Sequence, residues 1–352
     1  HIGRPKTGST ALQRFLVRNG SRLLQHGICF PETGRFQMAS HKFVHAYRPD
    51  VHDGPGVKST SADSLWAALA REHAELGARA VILSSENFWF VDPRQLPPTL
   101  EQDYDVRVVA YLRRQDNVLV SSFCEEVKGA ELDLDADIIS YATDPERLRL
   151  LDYYSVLAPW GDRFGDSQVY VRVYESLPEG GIATDFLQFL GLGGESFSMM
   201  SRPANPSLPY DVLRILSNMD GLALGETPRR QFVAALQEAS SVLQPDSRFD
   251  AAGLFQPGVR ETVLANFNES NARVLSRFQC TNKDQLFPDR SEQEHGEPSR
   301  ELDPARVAGV MSAMSLIHER KIHRLGTRLN QLERELKRLA TVVAKSADPS
   351  EH

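Results

Sequence analysis

Cysteine is scarce. The 352 residues hold three, Cys29, Cys124 and Cys280, scattered and odd in number. No CxxC pair exists, so neither a zinc ribbon nor a thioredoxin motif can be built. A disulfide framework is not expected either, which favours a reducing compartment and a cytoplasmic location. No apolar run approaches the roughly 18 residues that a spanning helix needs. Basic excess is also missing: 40 Lys and Arg face 47 Asp and Glu, a formal net charge of −7. That balance argues against a general nucleic-acid binder but leaves room for a local basic pocket for a small polyanion. No cluster of metal-ligand residues stands out, and the N-terminus shows no signal peptide. The first residues, His-Ile-Gly-Arg-Pro-Lys, read as the end of a strand entering a loop, so the natural chain is expected to begin upstream.

What is present is an ordinary globular composition, 41% hydrophobic and 25% charged. The length suits one large domain or two modest ones. Leu12, Phe15, Leu16, Leu23 and Leu24 recur at helical spacing over 9–26, with Gly27 as a stop. Short strands are expected at 78–83, 106–112 and 169–174. A helix over 116–128 has Asp116 as its cap and Gly129 beyond its end. Further helices are expected around 184–190, 209–219 and 259–278. Strands alternating with helices predict a parallel sheet covered on both faces. Residues 287–304 turn polar and Pro-rich, as a linker does. Beyond them Ile322, Leu325, Leu329, Leu332, Leu336, Leu339 and Val343 alternate in steps of three and four. That is the seam of a coiled coil, expected to associate two or more chains, or else the apolar stripe of a helix folded back on its domain. N-terminal to it, His318 and Ser315 break the register.

Three segments carry chemistry. The first is Gly3-Arg4-Pro5-Lys6-Thr7-Gly8-Ser9-Thr10, with a GxxxxG spacing leading into a helix. A strand-to-helix turn presents backbone N–H groups, and the helix N-terminus favours an anion. Gly8 allows close backbone approach, and Thr7, Ser9 and Thr10 add hydroxyls. A nucleoside-triphosphate loop would place lysine directly after the second glycine. Here Ser9 stands there, and the lysine lies inside the loop as Lys6. An ordinary capped helix start is the competing reading. The second segment follows the strand ending at Leu112. Arg113 is followed eight residues later by Ser121, and Phe123 lies two beyond that. A strand-end guanidinium offers a fork to a phosphate, and a hydroxyl on the next helix can reach the same group. The third is Leu83-Ser84-Ser85-Glu86, a strand end bearing a carboxylate, with His41 in the irregular region after the first helix.

The Lys-Thr-Gly-Ser-Thr order resembles the 5′-phosphosulfate loop of sulfotransferases that use 3′-phosphoadenosine 5′-phosphosulfate (PAPS), bacterial carbohydrate-type enzymes among them. Arg113, Ser121 and Phe123 fit that family's 3′-phosphate motif, although Gln115-Asp116 departs from its usual continuation. The late strand Val171–Leu177 and the Phe-Leu-Gly-Leu stretch at 189–192 are similar as well, over about residues 1–285. The resemblance implies an α/β, three-layer, P-loop-like fold with a central parallel sheet flanked by helices. That domain would span 1–286, with a linker at 287–304 and a helical tail at 305–352 that holds the coiled coil 322–343. It further implies PAPS as co-substrate, held by Lys6, Thr7, Gly8, Ser9, Thr10, Arg113 and Ser121. Lys6 would stabilise the leaving group, and Glu86, with His41 as the rival, would serve as general base. The expected acceptor is a hydroxyl of a carbohydrate or glycolipid, met by loops around 31–65, with no metal required. A nucleotide kinase or NTPase with a displaced lysine, and a non-catalytic coiled-coil scaffold with a degenerate nucleotide site, are the alternatives.

Overall fold

A computed structural model describes residues 1–51, 60–129, 131–136, 138–199, 210–218, 226–243, 257–288 and 304–346. In chain order come α1 (Ser9–Arg18), α2 (Gly20–Gln25), β1 (Ile28–Cys29), α3 (His41–His45), α4 (Ala62–Leu76), β2 (Ala80–Val81), α5 (Leu100–Asp103) and β3 (Val108–Leu112). Next are α6 (Gln115–Gly129), α7 (Ile138–Thr143), α8 (Pro145–Arg149), α9 (Tyr153–Phe164), β4 (Val169–Val173) and α10 (Gly181–Phe189). The remainder holds α11 (Tyr210–Asn218), α12 (Glu226–Leu243), α13 (Pro257–Ala265), α14 (Asn268–Arg277), β5 (Gln279–Cys280) and α15 (Pro304–Ser346). The chain divides into two compact units. One comprises 1–123, 136–206 and 251–297; the other 124–135, 207–250 and 298–352.

The first unit is built on two small parallel sheets, β1-β2 and β3-β4-β5. Residues 1–3 join them. Ile2 N–H donates to the Val109 carbonyl at 3.0 Å. On the other side the His1 amine donates to the Leu83 carbonyl at 2.8 Å, and the His1 carbonyl accepts from Ser85 N–H at 3.2 Å. That offset pattern is a parallel ladder. The order across the unit is therefore β1, β2, residues 1–3, β3, β4, β5. The chain's first crossover runs toward β1, and a later one returns to the opposite side at β3. Such a reversal opens a crevice at the carboxyl ends of the two central strands.

All five residues of β3 are buried, as a strand covered on both faces requires. Val109 and Tyr111 pack with Leu12, Phe15 and Leu16 of α1 and with Ile182 and Phe186 of α10. Alternation turns Val108, Ala110 and Leu112 to the other face, where they are equally buried. Asp185 of α10 pins its helix to two strands. It accepts from the Tyr111 hydroxyl at 2.7 Å and from the Arg172 guanidinium at 2.5 and 2.9 Å. Burial, with this carboxylate alongside, pushes the Tyr111 phenol far above its ordinary range. Removing one partner of a buried charge pair typically costs about 3–5 kcal/mol.

Several elements differ from the sequence expectation. The single helix expected over 9–26 is broken at Asn19. The Asn19 amide donates to the Phe15 carbonyl at 2.9 Å and to the Ser198 carbonyl at 3.1 Å, and its oxygen accepts from Ser198 N–H at 2.9 Å. A side chain that takes over helix carbonyls ends the helix. Gly27 does stop α2, with φ of 74°. The helical stretch expected around 259–278 is likewise two helices, parted at Asn266 and Phe267. Pro209 and Met219, at the edges of an expected helix, lie outside the described residues, as do 289–303 of the expected linker.

In the second unit Leu213 and Leu216 of α11 and Leu236 and Ala239 of α12 are buried with Val310 and Met314 of α15. Lys321 closes this packing with an ion pair to Glu238 at 2.6 Å. Helix α15 continues for the full length of the expected seam. Among the described residues no helix is long and apolar enough to cross a membrane.

Candidate active site

The loop from Arg4 to Gly8 leaves the central segment 1–3 at its carboxyl end and feeds α1. Two residues in it take the left-handed conformation, Gly8 (φ 87°, ψ 10°) and Lys6 (φ 73°). For a lysine that geometry costs about 1–2 kcal/mol. The turn is held from inside. Thr7 is fully buried, and its hydroxyl donates to the Arg4 carbonyl at 2.5 Å. The Gly8 carbonyl starts the helix by accepting from Ala11 and Leu12 N–H at 2.9 and 3.2 Å. A Cβ at Gly8 would lie 3.2 Å from Tyr174 Cε2 and 3.4 Å from Ile182 Cδ1. Gly8 is thus required by both its conformation and its neighbours. Ser9 is buried in the first turn of α1, while Lys6 and Thr10 are half-buried.

Arg113 stands directly after β3, at the carboxyl end of the neighbouring strand. Its Nη1 donates to the Lys6 carbonyl at a long 3.4 Å. Its guanidinium lies 5.2 Å over the Tyr174 ring, and Nε is 3.9 Å from Glu175 Oε1. Its own carbonyl accepts from the Tyr153 hydroxyl at 2.6 Å. Glu175 is oriented by Arg114 N–H at 3.1 Å and Asn117 Nδ2 at 2.9 Å. The two consecutive arginines therefore divide the work. Arg113 turns to the loop, whereas Arg114 is buried against Asp116 at 2.9 and 3.2 Å, with Arg260 on the same carboxylate at 2.9 Å. Ser121 sits half-buried on α6, about 9 Å along the axis from Gln115 at 1.5 Å per residue. Among the described residues no hydrogen bond joins Ser121 to Arg113.

Four buried polar atoms at these strand ends have no hydrogen-bond partner among the described residues: Arg4 Nε, Ser9 Oγ, Arg113 Nε and Glu175 Oε2. An unsatisfied buried donor or acceptor costs about 1–3 kcal/mol. Three of the four can donate, which suits an anion. Burial also depresses the Arg4 guanidinium, against which Tyr153 and Tyr141 stand. The same burial raises the Tyr153 phenol beyond its ordinary range.

The two candidate bases come together around one strand end. Glu86 opens a short turn after Ser85, and its Oε2 accepts from Gln13 Nε2 of α1 at 2.5 Å. His41 begins α3, with its Nδ1 2.8 Å from Ser85 Oγ. Ser40 N–H donates to the Ser84 carbonyl at 2.8 Å, and Ser84 N–H donates to Ser40 Oγ at 3.1 Å. A run of contacts therefore links the loop helix, through Gln13, to Glu86, Ser85 and His41. Sequence reasoning missed Arg4, Gln13, Tyr174 and Glu175. Gln13 was within reach, because it lies one helical turn beyond Ser9 on an otherwise apolar buried face. Tyr174 and Glu175 lie in the late-strand stretch Val171–Leu177, but nothing in the sequence assigns them to the site, since only the fold brings the end of β4 beside Arg113. Among the described residues no group of three or more His, Cys, Asp or Glu side chains could hold a metal ion.

No protein-family model matches the chain. An uncharacterized protein of Archaeoglobus fulgidus is 34% identical to it over 179 residues, 49% of this chain. The chain spans about 45% of that relative's length. Among solved structures, a sulfotransferase from Alicyclobacillus acidocaldarius is similar with a TM-score of 0.36 and 20% identity, covering 65% of this chain and 96% of that one.

Proposed function

We propose that this chain is a sulfotransferase that moves the sulfuryl group of PAPS to a hydroxyl of a carbohydrate or glycolipid acceptor. One observation carries the reading. Two motifs 107 residues apart, the Lys6 loop and Arg113, meet at adjacent strand ends, with Arg113 hydrogen-bonded to the Lys6 carbonyl. The unpartnered donors around them support an anionic ligand of more than one charge.

In this reading the phosphosulfate lies over the loop and the α1 N-terminus, and Arg113 takes the 3′-phosphate with help from Ser121. The acceptor hydroxyl attacks sulfur. Its O–H bond breaks as the new S–O bond forms, and the proton passes to Glu86, which Gln13 orients. The S–O bond to the 5′-phosphate breaks, and its electron pair leaves on 3′-phosphoadenosine 5′-phosphate, where Lys6 stabilises the charge. Catalysis then rests on positioning and on preorganised charge. A cytoplasmic location belongs to the same proposal and rests on three scattered cysteines, all buried and none in a disulfide.

Thermal unfolding of the full chain, titrated with 3′-phosphoadenosine 5′-phosphate or with ATP–Mg²⁺, tests this. A ligand at 100 times its Kd adds about 2.7 kcal/mol of stability. A clear upward shift with the bisphosphate and a smaller one with ATP–Mg²⁺ is expected. The reverse order would favour a kinase-like protein with a displaced lysine, and no shift with either would favour a scaffold.

A further inference from the structure

Helix α15 changes character at Lys321. Before it, Val310 and Met314 are 2% and 5% exposed against their own unit. After it, Ile322, Leu325, Leu329, Leu332, Leu336 and Leu339 are 70, 70, 59, 42, 65 and 61% exposed. Six large apolar side chains on one stripe of a solvated helix form a continuous patch, which soluble proteins rarely leave uncovered. The spacing assigns heptad positions: Ile322, Leu329 and Leu336 at a, Leu325, Leu332 and Leu339 at d. Gly326 and Asn330 fall at e and b, outside the seam. A Cβ at Gly326 would meet nothing within 4 Å.

We propose that this stripe is covered by the same stripe of a second copy of the chain, in a parallel, in-register, two-stranded coiled coil over Ile322–Leu339. Leucine at every d position and isoleucine at the first a position suit two parallel strands. Charge complementarity supports the register. In a parallel pair, g of one helix faces the next e of the other, so Arg328 meets Glu333 of the partner subunit, twice by symmetry. The remaining g positions, Lys321 and Glu335, face Gly326 and Ala340, so no like charges oppose. Among the described residues Arg328 makes one side-chain hydrogen bond, an exposed one to Gln331 at 2.8 Å, which the pairing can replace.

Sedimentation velocity on the full chain at micromolar concentration is the test. A dimer is expected. Leu329→Glu/Leu332→Glu should give a folded monomer, because both side chains are exposed in the single chain. Gly326→Ala should tighten the dimer several-fold, since alanine is the better helix former. Arg328→Glu should weaken it several-fold, and Arg328→Glu/Glu333→Arg should restore it. A monomeric wild-type chain, or a dimer indifferent to Leu329→Glu/Leu332→Glu, overturns the proposal. Rescue by Arg328→Glu/Glu335→Arg instead would overturn the parallel arrangement, because only antiparallel helices set those two g positions against each other.

Discussion

Substituting alanine at Gly8 separates the backbone of the loop from its ligand chemistry. Gly8 sits at φ 87°, where an L-residue costs about 1–2 kcal/mol. Alanine also stiffens the unfolded chain, which returns about 0.4–1 kcal/mol. The added Cβ must then displace the Tyr174 ring, 3.2 Å away, by a few tenths of an ångström. Strain less that return leaves about 0–1.6 kcal/mol, to which the displaced ring adds, so Tm should fall by a few degrees for a chain of this size. The effect does not stop at stability, because the Tyr174 ring underlies the Arg113 guanidinium. Gly8→Ala should therefore also weaken binding of 3′-phosphoadenosine 5′-phosphate. Gly77→Ala is the control. Gly77 is left-handed too, at φ 58° beyond α4, but an added Cβ there touches nothing within 4 Å. It should lower Tm and leave the affinity alone. Calorimetric titration and thermal unfolding of both variants decide the matter. If Gly8→Ala keeps the wild-type Tm and affinity, the tight turn under Tyr174 does not hold the site.

Lys6→Ala should keep the fold yet abolish transfer, because the charge on the departing phosphate loses its counterpart; substantial residual turnover in a PAPS assay would refute that role. Arg113→Ala should weaken 3′-phosphoadenosine 5′-phosphate more than adenosine 5′-phosphosulfate, which lacks the 3′-phosphate, and Ser121→Ala should do so to a smaller extent. Equal losses for the two ligands in calorimetry would show that neither residue reads the 3′-phosphate. Glu86→Gln should leave nucleotide affinity intact and slow the chemical step by about 10²–10⁴-fold, the range for a lost general base. Normal turnover in Glu86→Gln with loss in His41→Ala would pass the proton to His41.

Local patterns in the chain determined a good deal. Leu12, Phe15 and Leu16 recur at helical spacing, and the helix they announce forms. The apolar run 108–112 lies within the expected 106–112 and is the fully buried strand. Gly8 and Gly27 stand at turns that need φ above zero. The heptad stripe was legible because its period is a property of neighbouring residues, and a helix does run through it. Tertiary structure alone decided the rest. Asn19 breaks its helix because Ser198, 179 residues away, completes its hydrogen bonds. Of two adjacent arginines, Arg113 faces the loop and Arg114 is buried, since Asp116, which also pairs with Arg260, claims the second. Glu86 and His41 read as rivals in the sequence and become neighbours of one serine in the fold. The site's supports, Gln13, Tyr174 and Glu175, come from α1 and the end of β4. Periodicity and turn chemistry act over a few residues, whereas the crevice between residues 1–3 and β3 is made by parallel pairing of segments about 100 positions apart, which no local pattern encodes.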